Sequence, residues 1–256
     1  MRGAVWVVFV LGVLAARVCA GEIRVAAAAD TQFVLPRIAR AFEQQTGTKA
    51  SISFGSSGNL AAQIQSGAPF DAFVSADTGY VDALLRSGDA LPRTAYEYAE
   101  GRLVLWAPEN SKLDLSGGVR VLLDPAVKRI AIANPQHAPY GRAAEATLRN
   151  AGIYEQLRDK LVLGENISQA FQFVSSGNAD VGVLSYSLAR SPQGKGRYFL
   201  LPQSLYPPIK QSAVALARSQ SRAEALAFVN FLRTPEAQKI LHESGLEPAS
   251  AEQERP

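Results

Sequence analysis

The stretch that decides the fold is Ser51-Ile52-Ser53-Phe54-Gly55-Ser56-Ser57-Gly58-Asn59-Leu60-Ala61-Ala62-Gln63-Ile64. Its first four residues predict a strand, the small residues after them predict a turn, and its last five predict a helix that ends at Gly67. The order of strand, turn and helix recurs before and after this stretch. Strands are predicted at 23–26, 51–54, 72–75, 102–107, 129–133, 181–184 and 211–217. Because strands that alternate with helical patterns are typical of sheets covered by crossover helices, the sequence predicts an α/β fold.

Composition and charge exclude several classes of function. The 256 residues are 47% hydrophobic and 19% charged, which predicts a folded core and excludes a disordered chain. The formal charge is +3 and falls to +1 without Arg2 and Arg17, so the sequence gives little support to nucleic-acid binding. With Cys19, His137 and His242 as its only cysteine and histidines, the chain has no disulfide scaffold and no His- or Cys-rich metal site.

Residues 1–20 are typical of a cleavable secretory signal. Arg2 supplies the positive end, residues 4–14 form the apolar run, and cleavage is predicted after Ala20. One alternative is a membrane anchor, but the apolar run is shorter than the roughly 20 residues that span a bilayer. The other alternative is a lipidated Cys19, although the residues before it match a lipobox poorly. The cleaved chain has no Cys and no Met, which suits an oxidising exported compartment.

Four turns between a predicted strand and a predicted helix have similar composition. Small or hydroxyl-bearing residues stand at 29–31, 55–59, 139–141 and 166–168, and none of these turns contains a basic residue. Free N–H groups at a helix start form an anion site, and four helix ends of about +0.5 charge each would balance a dianion. Each turn alone is more typical of an ordinary helix cap. If the turns converge, they predict a site for a small doubly charged anion.

Five blocks of sequence resemble the periplasmic molybdate-binding proteins of ABC importers. The likeness runs from about residue 22 to residue 245, and the blocks that carry it are Val25-Ala26-Ala27-Ala28-Ala29-Asp30, Phe54-Gly55-Ser56-Ser57-Gly58, Gln63-Ile64-Gln65-Ser66-Gly67-Ala68-Pro69-Phe70-Asp71, Val74-Ser75-Ala76-Asp77 and Asn134-Pro135-Gln136-His137-Ala138-Pro139-Tyr140-Gly141. The resemblance implies a two-lobed periplasmic-binding-protein fold of the class II type, in which each lobe is a mixed sheet flanked by helices. Lobe I would be residues 21–102 plus 209–256 and lobe II residues 103–208, with hinge crossings near 102 and 210.

The resemblance also implies which residues hold the oxyanion. Carried over position by position, they are Asp30, Ser57, Ala76, Tyr140, Ile167 and Ser185. Ala76 and Ile167 would act through their backbone N–H groups. Asp30 departs from the Ser or Asn usual in the family, and Ser185, with Tyr186 beside it, stands where some members supply a tyrosine. We expect Asp30 to turn away and cap its own helix, and the alternative is that it accepts a hydrogen bond from a protonated oxyanion such as hydrogen phosphate.

The resemblance therefore implies a periplasmic solute-binding protein that captures molybdate or tungstate and delivers it to the permease of an ABC importer. It would be a monomer that closes around the anion, with no cofactor, no nucleic-acid partner and no metal apart from the molybdenum or tungsten of its ligand. The nearest alternative is another small anion, such as sulfate, phosphate or an organic acid. A secreted hydrolase is more remote, because residues 55–59 lack the Gly-x-Ser-x-Gly spacing and the possible bases are only His137 and His242.

Overall fold

A computed structural model describes residues 21–249 of the chain. The predicted signal segment, with Cys19, lies outside the described residues. The strands are β1 (Glu22–Ala28), β2 (Lys49–Gly55), β3 (Ala72–Ser75), β4 (Tyr96–Gly101), β5 (Leu103–Pro108), β6 (Ile130–Ala133), β7 (Leu161–Gly164), β8 (Val181–Ser185), β9 (Gly196–Leu200), β10 (Ile209–Ala215) and β11 (Glu247–Pro248). The α-helices are α1 (Leu35–Thr46), α2 (Ser57–Gln65), α3 (Thr78–Ser87), α4 (Pro139–Asn150), α5 (Tyr154–Leu157), α6 (Ile167–Ser175), α7 (Tyr186–Ala189), α8 (Arg222–Phe231) and α9 (Pro235–Glu243). Short 3₁₀ segments lie at Ala29–Thr31, Leu115–Leu123, Arg158–Lys160 and Gln203–Leu205.

The strands form two mixed sheets. One has six strands in the order β11-β4-β10-β3-β1-β2, in which β1 is parallel to β2 and β3 while β10 runs antiparallel to β3 and β4. The other has five strands in the order β7-β6-β8-β5-β9, in which β6 is parallel to β7 and β8 while β5 runs antiparallel to β8 and β9. Two mixed sheets flanked by helices confirm the predicted fold class.

We call the two parts of the molecule the six-stranded half and the five-stranded half. The six-stranded half contains β1–β4, β10 and β11 with α1–α3, α8 and α9, and the five-stranded half contains β5–β9 with α4–α7. The chain passes from the first to the second at Arg102 and returns between β9 and β10. Two closely spaced connections therefore join the halves.

The six-stranded sheet is buried on both faces. Val25 of β1 packs in one cluster with Phe42 of α1 and Phe228 of α8, whose rings meet edge to face at a centroid distance of 5.2 Å. The next residue of the strand, Ala26, packs on the other side with Leu60 of α2. Because successive side chains of a strand point to opposite faces, β1 needs apolar residues on both faces where helices cover it, and Val25–Ala28 are all apolar and buried.

The structure adds elements that the sequence pattern did not predict. Strands β4, β7 and β9 were not expected, and β9 is an edge strand with Tyr198 and Leu200 each 40% exposed, so it lacks the apolar run that signals a buried strand. The helix after β1 begins only at Leu35, after a separate 3₁₀ turn, with Pro36 in its first turn where a missing N–H costs nothing. Within residues 21–249, no helix combines the length and apolar character that a membrane crossing requires.

Candidate anion-binding site

The two halves meet around a small cavity at the carboxyl ends of their strands. The cavity is small: the volume open to the centre of a water molecule is about 10 Å³. The residues that line the cavity follow the ends of β1, β2, β3, β6 and β7, and they are Ala28, Ala29, Asp30, Gly55, Ser56, Ser57, Ala76, Ala138, Pro139, Tyr140 and Ile167. Ligands of open α/β sheets bind in the crevice outside the carboxyl ends of the strands, so the cavity has the position of a ligand site.

Most of the predicted site residues come together at this cavity. Asp30, Ser57, Ala76, Tyr140 and Ile167 all line it, and they come from both halves of the molecule. The structure does not bring Ser185 to the cavity.

The Ser185 hydroxyl is used inside the five-stranded half instead. It accepts a bond from the backbone N–H of Leu188 at 3.4 Å, which caps α7, and it lies 3.2 Å from the hydroxyl of Ser187. Tyr186 is not a lining residue either, and its hydroxyl lies 3.4 Å from that of Tyr198. Near this position, Ser187 reaches the other half beside the cavity and donates to the backbone carbonyl of Asp30 at 2.9 Å.

Three α-helices start at the cavity, and each has a backbone N–H in its first turn that is available to a ligand. In α2, the Ser56 side chain accepts from Asn59 N at 3.4 Å, and Gly58 N donates to the His137 carbonyl at 3.0 Å, which leaves the N–H of Ser57. The first N–H groups of a helix have no partner inside the helix. The Ser57 N–H is therefore available to a ligand.

The other two helices leave N–H groups in the same way. The Asn166 side chain accepts from Ser168 N and Gln169 N, both at 3.0 Å, which leaves the N–H of Ile167 at the start of α6. In α4, no side chain caps the first turn, so the N–H of Tyr140 follows Pro139 without a side-chain partner. Three helix ends together place about +1.5 of partial charge at the cavity. The fourth predicted helix start, at residues 29–31, is only a 3₁₀ turn.

Ser57 and Ala76 contact each other directly. The backbone N–H of Ala76 donates to the Ser57 hydroxyl oxygen at 3.0 Å, and both residues are buried. Because the Ser57 hydroxyl oxygen accepts a hydrogen bond from Ala76, its own proton points in another direction. In this structure the Ala76 N–H is thus bonded to the Ser57 hydroxyl, whereas the resemblance implied that this N–H contacts the anion.

Asp30 is the charged residue among those that line the cavity, and it is 1% exposed. Its Oδ2 accepts hydrogen bonds from Gln211 Nε2 at 2.6 Å and from the Tyr140 hydroxyl at 3.0 Å. Its Oδ1 has no hydrogen-bond partner within residues 21–249. Burial raises the pKa of Asp30 to about 6, although the bonds from Gln211 and Tyr140 and a weaker contribution from the residue's own backbone N–H favour the charged form.

The expectation that Asp30 caps its own helix is wrong. The 3₁₀ turn Ala29–Thr31 has no side-chain cap, and the carboxylate points to donors on α4 and β10. Gly101 makes room for this arrangement, because a Cβ at that position would lie 2.1 Å from the Tyr140 hydroxyl. The carboxylate is thus held by residues more than a hundred positions away in the chain, which no local capping pattern reveals.

Further contacts hold the two halves together around the cavity. His137 Nδ1 lies 2.9 Å from the Ser56 hydroxyl, and Ser168 donates to Gln32 Oε1 at 2.5 Å. At the rim, Asp77 forms an ion pair with Arg142, whose Nη1 also donates to the Tyr80 hydroxyl at 2.9 Å. Neither contact has a local sequence signal, so from the sequence His137 was expected only as a possible base and Arg142 was not expected at all. The structure is therefore that of a closed cleft.

Comparisons with known proteins identify relatives over nearly the whole chain. The family described as "Bacterial extracellular solute-binding protein" matches residues 23–247. The molybdate-binding protein ModA of Rhodobacter capsulatus is 40% identical over 243 residues, which are 95% of this chain and 94% of that protein. The protein of the same name from Azotobacter vinelandii is 39% identical over 237 residues, or 91% of this chain and 93% of that protein.

The solved structures agree with the sequence relatives. The periplasmic molybdate-binding protein of Azotobacter vinelandii superposes with a TM-score of 0.84 at 34% identity, over 90% of this chain and all of that one. A sulfate-binding protein of Mycobacterium tuberculosis matches with a TM-score of 0.74 at 17% identity, over 90% of this chain and 88% of that one. The second likeness concerns the fold alone.

Proposed function

Because this chain belongs to the family of bacterial extracellular solute-binding proteins, we propose that it captures molybdate or tungstate in the cavity between its two halves. The observation that carries the proposal is the closed cavity ringed by three helix starts, in a chain 40% identical to a molybdate-binding protein. No side chain of Lys, Arg or His is among the residues that line it. The anion would be held by uncharged donors and helix dipoles.

The donors that would bind the anion come from both halves. From the six-stranded half, Ser57 would donate through its hydroxyl and its backbone N–H. From the five-stranded half, Tyr140 and Ile167 would donate through their backbone N–H groups. Ala76 would act by orienting Ser57, and Ser185 would act only on α7. These assignments rest on which residues line the cavity and on the hydrogen bonds described above.

The two halves would be lobes that close on the ligand. Residues 21–102 with 209–256 would form one lobe, and residues 103–208 the other, hinged at the two connections near 102 and 210. The proposal is supported by the position of the cavity between the sheets and by the contacts at its rim, such as the pair of Asp77 and Arg142. An anion that binds both lobes at once favours the closed form, because only that form offers the full set of donors.

Binding and delivery, rather than catalysis, would be the role of the protein. Ser56 and His137 have the spacing of a nucleophile and a base, but the His137 ring has no hydrogen bond to a carboxylate within residues 21–249. The Ser56 hydroxyl also caps α2. The protein would work in the periplasm after removal of residues 1–20, and would pass the anion, as a monomer, to the permease of an ABC importer.

The test is a thermal-shift panel with molybdate, tungstate, sulfate and phosphate. A ligand that binds only the folded protein stabilises it by about 2.7 kcal/mol at a hundred times its Kd, which raises Tm by roughly 5 to 10 °C for a protein of this size. We expect molybdate and tungstate to give this shift. Sulfate is smaller and leaves donors unsatisfied, so it should give little or none.

Sodium chloride at matched ionic strength is the control for general salt effects. A shift of the same size with all four anions would show that the site does not select by size. No shift with molybdate or tungstate, at concentrations up to the millimolar range, would contradict the proposal. A shift with sulfate or phosphate alone would assign the protein to another anion.

A further inference from the structure

The two oxygens of the Asp30 carboxyl group have different surroundings. Oδ2 faces Gln211 Nε2 at 2.6 Å and the Tyr140 hydroxyl at 3.0 Å. Oδ1 is buried without a partner within residues 21–249, and Asp30 lines the anion cavity. Because Oδ2 is turned to these two side chains, Oδ1 is the oxygen left for the cavity.

The hydrogen bonds around Asp30 determine where a proton on this carboxyl group would lie. Tyr98 donates to Gln211 Oε1 at 2.5 Å, which fixes the orientation of the amide. The Gln211 NH₂ group then donates to Asp30 Oδ2 and, at 3.1 Å, to the Tyr140 hydroxyl, so Tyr140 must donate its own proton to Oδ2. With two donors directed at Oδ2, a proton on the acid belongs on Oδ1.

Within residues 21–249, no Lys, Arg or His is among the groups that shift the pKa of this carboxyl group. The titratable groups that face it are Tyr98 on β4 and Tyr140 on α4, and burial raises the pKa of both tyrosines well above the usual value, so both stay neutral. On the elements packed around them, Lys210 is paired with Glu97 and Arg142 with Asp77. A dianion placed in the cavity would therefore meet an unscreened negative charge if Asp30 were ionised.

We propose that Asp30 binds the oxyanion as a protonated acid, with its Oδ1 hydroxyl donating a hydrogen bond to an oxygen of the dianion. This inference rests on the proposed function, since it concerns a donor at the same cavity. The proton stays on Asp30, the anion stays a dianion, and no covalent bond is made or broken. One proton is then taken up with each anion whenever Asp30 is ionised in the free protein.

The sign of the pH dependence follows from linkage. The pKa of Asp30 is about 6 in the closed structure without an anion, and a bound dianion raises it further. Below about pH 6 the acid is already protonated, so affinity is constant. Above it each binding event must take up a proton, so Kd rises by about tenfold per pH unit until the pH passes the pKa of the complex.

The experiment measures the Kd for molybdate by calorimetry from pH 5.5 to 8.5, in the full chain without its first 20 residues and in Asp30→Asn. The asparagine amide can place its oxygen opposite Gln211 and Tyr140 and its NH₂ at the position of Oδ1. We expect the variant to bind with a Kd that hardly changes with pH. Wild type should match it within about threefold at pH 5.5 and bind about a hundredfold more weakly than the variant at pH 8.

A second measurement needs no variant. Titrations of wild type at pH 7.5 in two buffers of different ionisation enthalpy report the protons taken up, and we expect about one per molybdate. The control residue is His137, which lies outside the proposed set of donors and whose ring contacts Ser56 beside the cavity. The His137→Gln variant should therefore keep the tenfold slope.

Three results would overturn the inference. They are a wild-type Kd that is constant from pH 6 to 8.5, no proton uptake at pH 7.5, and an Asp30→Asn variant that is folded but binds more weakly than wild type at pH 5.5. The last would show that a hydrogen-bond donor at the position of Oδ1 does not hold the anion. If wild type binds no oxyanion at any pH, the proposed function itself fails, which is a different result from pH-independent binding.

Discussion

Replacing Gly58 with alanine is expected to weaken molybdate binding roughly 5- to 150-fold and to leave the ligand-free protein folded. A Cβ at this position would lie 2.7 Å from the His137 carbonyl oxygen and 2.7 Å from the Tyr80 hydroxyl. His137 belongs to the five-stranded half, so the added methyl group stands where the two halves meet. Overpacking of this kind costs about 1 to 3 kcal/mol, and in this protein that cost falls on the closed form.

The ligand-free stability should not fall in the same way. Gly58 lies in the first turn of α2, and alanine favours a helix over glycine by up to about 1 kcal/mol. In an open form the His137 carbonyl is no longer beside the methyl group, and the Tyr80 hydroxyl, which belongs to the same half as Gly58, is the far end of a side chain that can turn aside. We therefore expect Tm without ligand to stay the same or to rise slightly, while the affinity measured by calorimetry falls.

The matched control is Gly117→Ala, because a Cβ there would have nothing within 4 Å. It should bind molybdate as wild type does. Small-angle scattering gives a second readout: wild type should become more compact when molybdate is added, and Gly58→Ala should do so only at higher molybdate concentrations. Wild-type affinity in Gly58→Ala, with normal compaction, would contradict closure at this contact.

Removing the Ser57 hydroxyl has the second large expected effect. A hydrogen bond to a charged group contributes about 1.5 to 3 kcal/mol, so Ser57→Ala should bind molybdate about 10- to 150-fold more weakly. The Ala76 N–H also loses its acceptor, at 3.0 Å in the wild type, in a buried place. The helix itself should be little affected, because the residue that caps α2 is Ser56.

Calorimetry on Ser57→Ala and on Ser175→Ala checks this prediction. Ser175 is exposed at the end of α6 and its hydroxyl donates to the Gln172 carbonyl at 3.1 Å, away from the cavity. The same chemical change there should leave affinity unaltered. If Ser57→Ala binds as tightly as the control, the Ser57 hydroxyl makes no contact with the anion.

Local patterns in the sequence predicted the parts of the site that are local in the structure. Small or capping residues marked the turns at 55–59, 139–141 and 166–168, which each follow a strand and open a helix, and the family resemblance singled out Ser57, Tyr140 and Ile167 within them. The alternation of strand and helix then predicted the fold class. It missed β9, because an edge strand with exposed Tyr198 needs no continuous apolar run.

The surroundings of Asp30 could not be predicted in this way. Its partners Tyr140 and Gln211 lie 110 and 181 positions away, so their approach depends on how both sheets pack. The nearest local interpretation, a helix cap, was therefore wrong. The contact of Ser56 with His137 is non-local for the same reason, since it joins one half to the other.

The charge of the site changes how its anion binding is explained. Three helix ends contribute about +1.5, and the charged side chain that lines the cavity, Asp30, is an acid. Binding of a dianion then depends on N–H groups, on the Ser57 hydroxyl and on the protonation of Asp30. The formal charge of the whole chain, which is +3 when its first 20 residues are included, contributes little to the binding of the dianion.

The position of the metal in a crystal of the molybdate complex tests the central proposal most directly. Anomalous scattering locates molybdenum without any assumption about the protein. We predict one strong peak inside the cavity, with oxyanion oxygens within about 3 Å of Ser57 Oγ, Tyr140 N and Ile167 N. A peak at a basic surface site, with the cavity between the halves empty or filled by water, would contradict it.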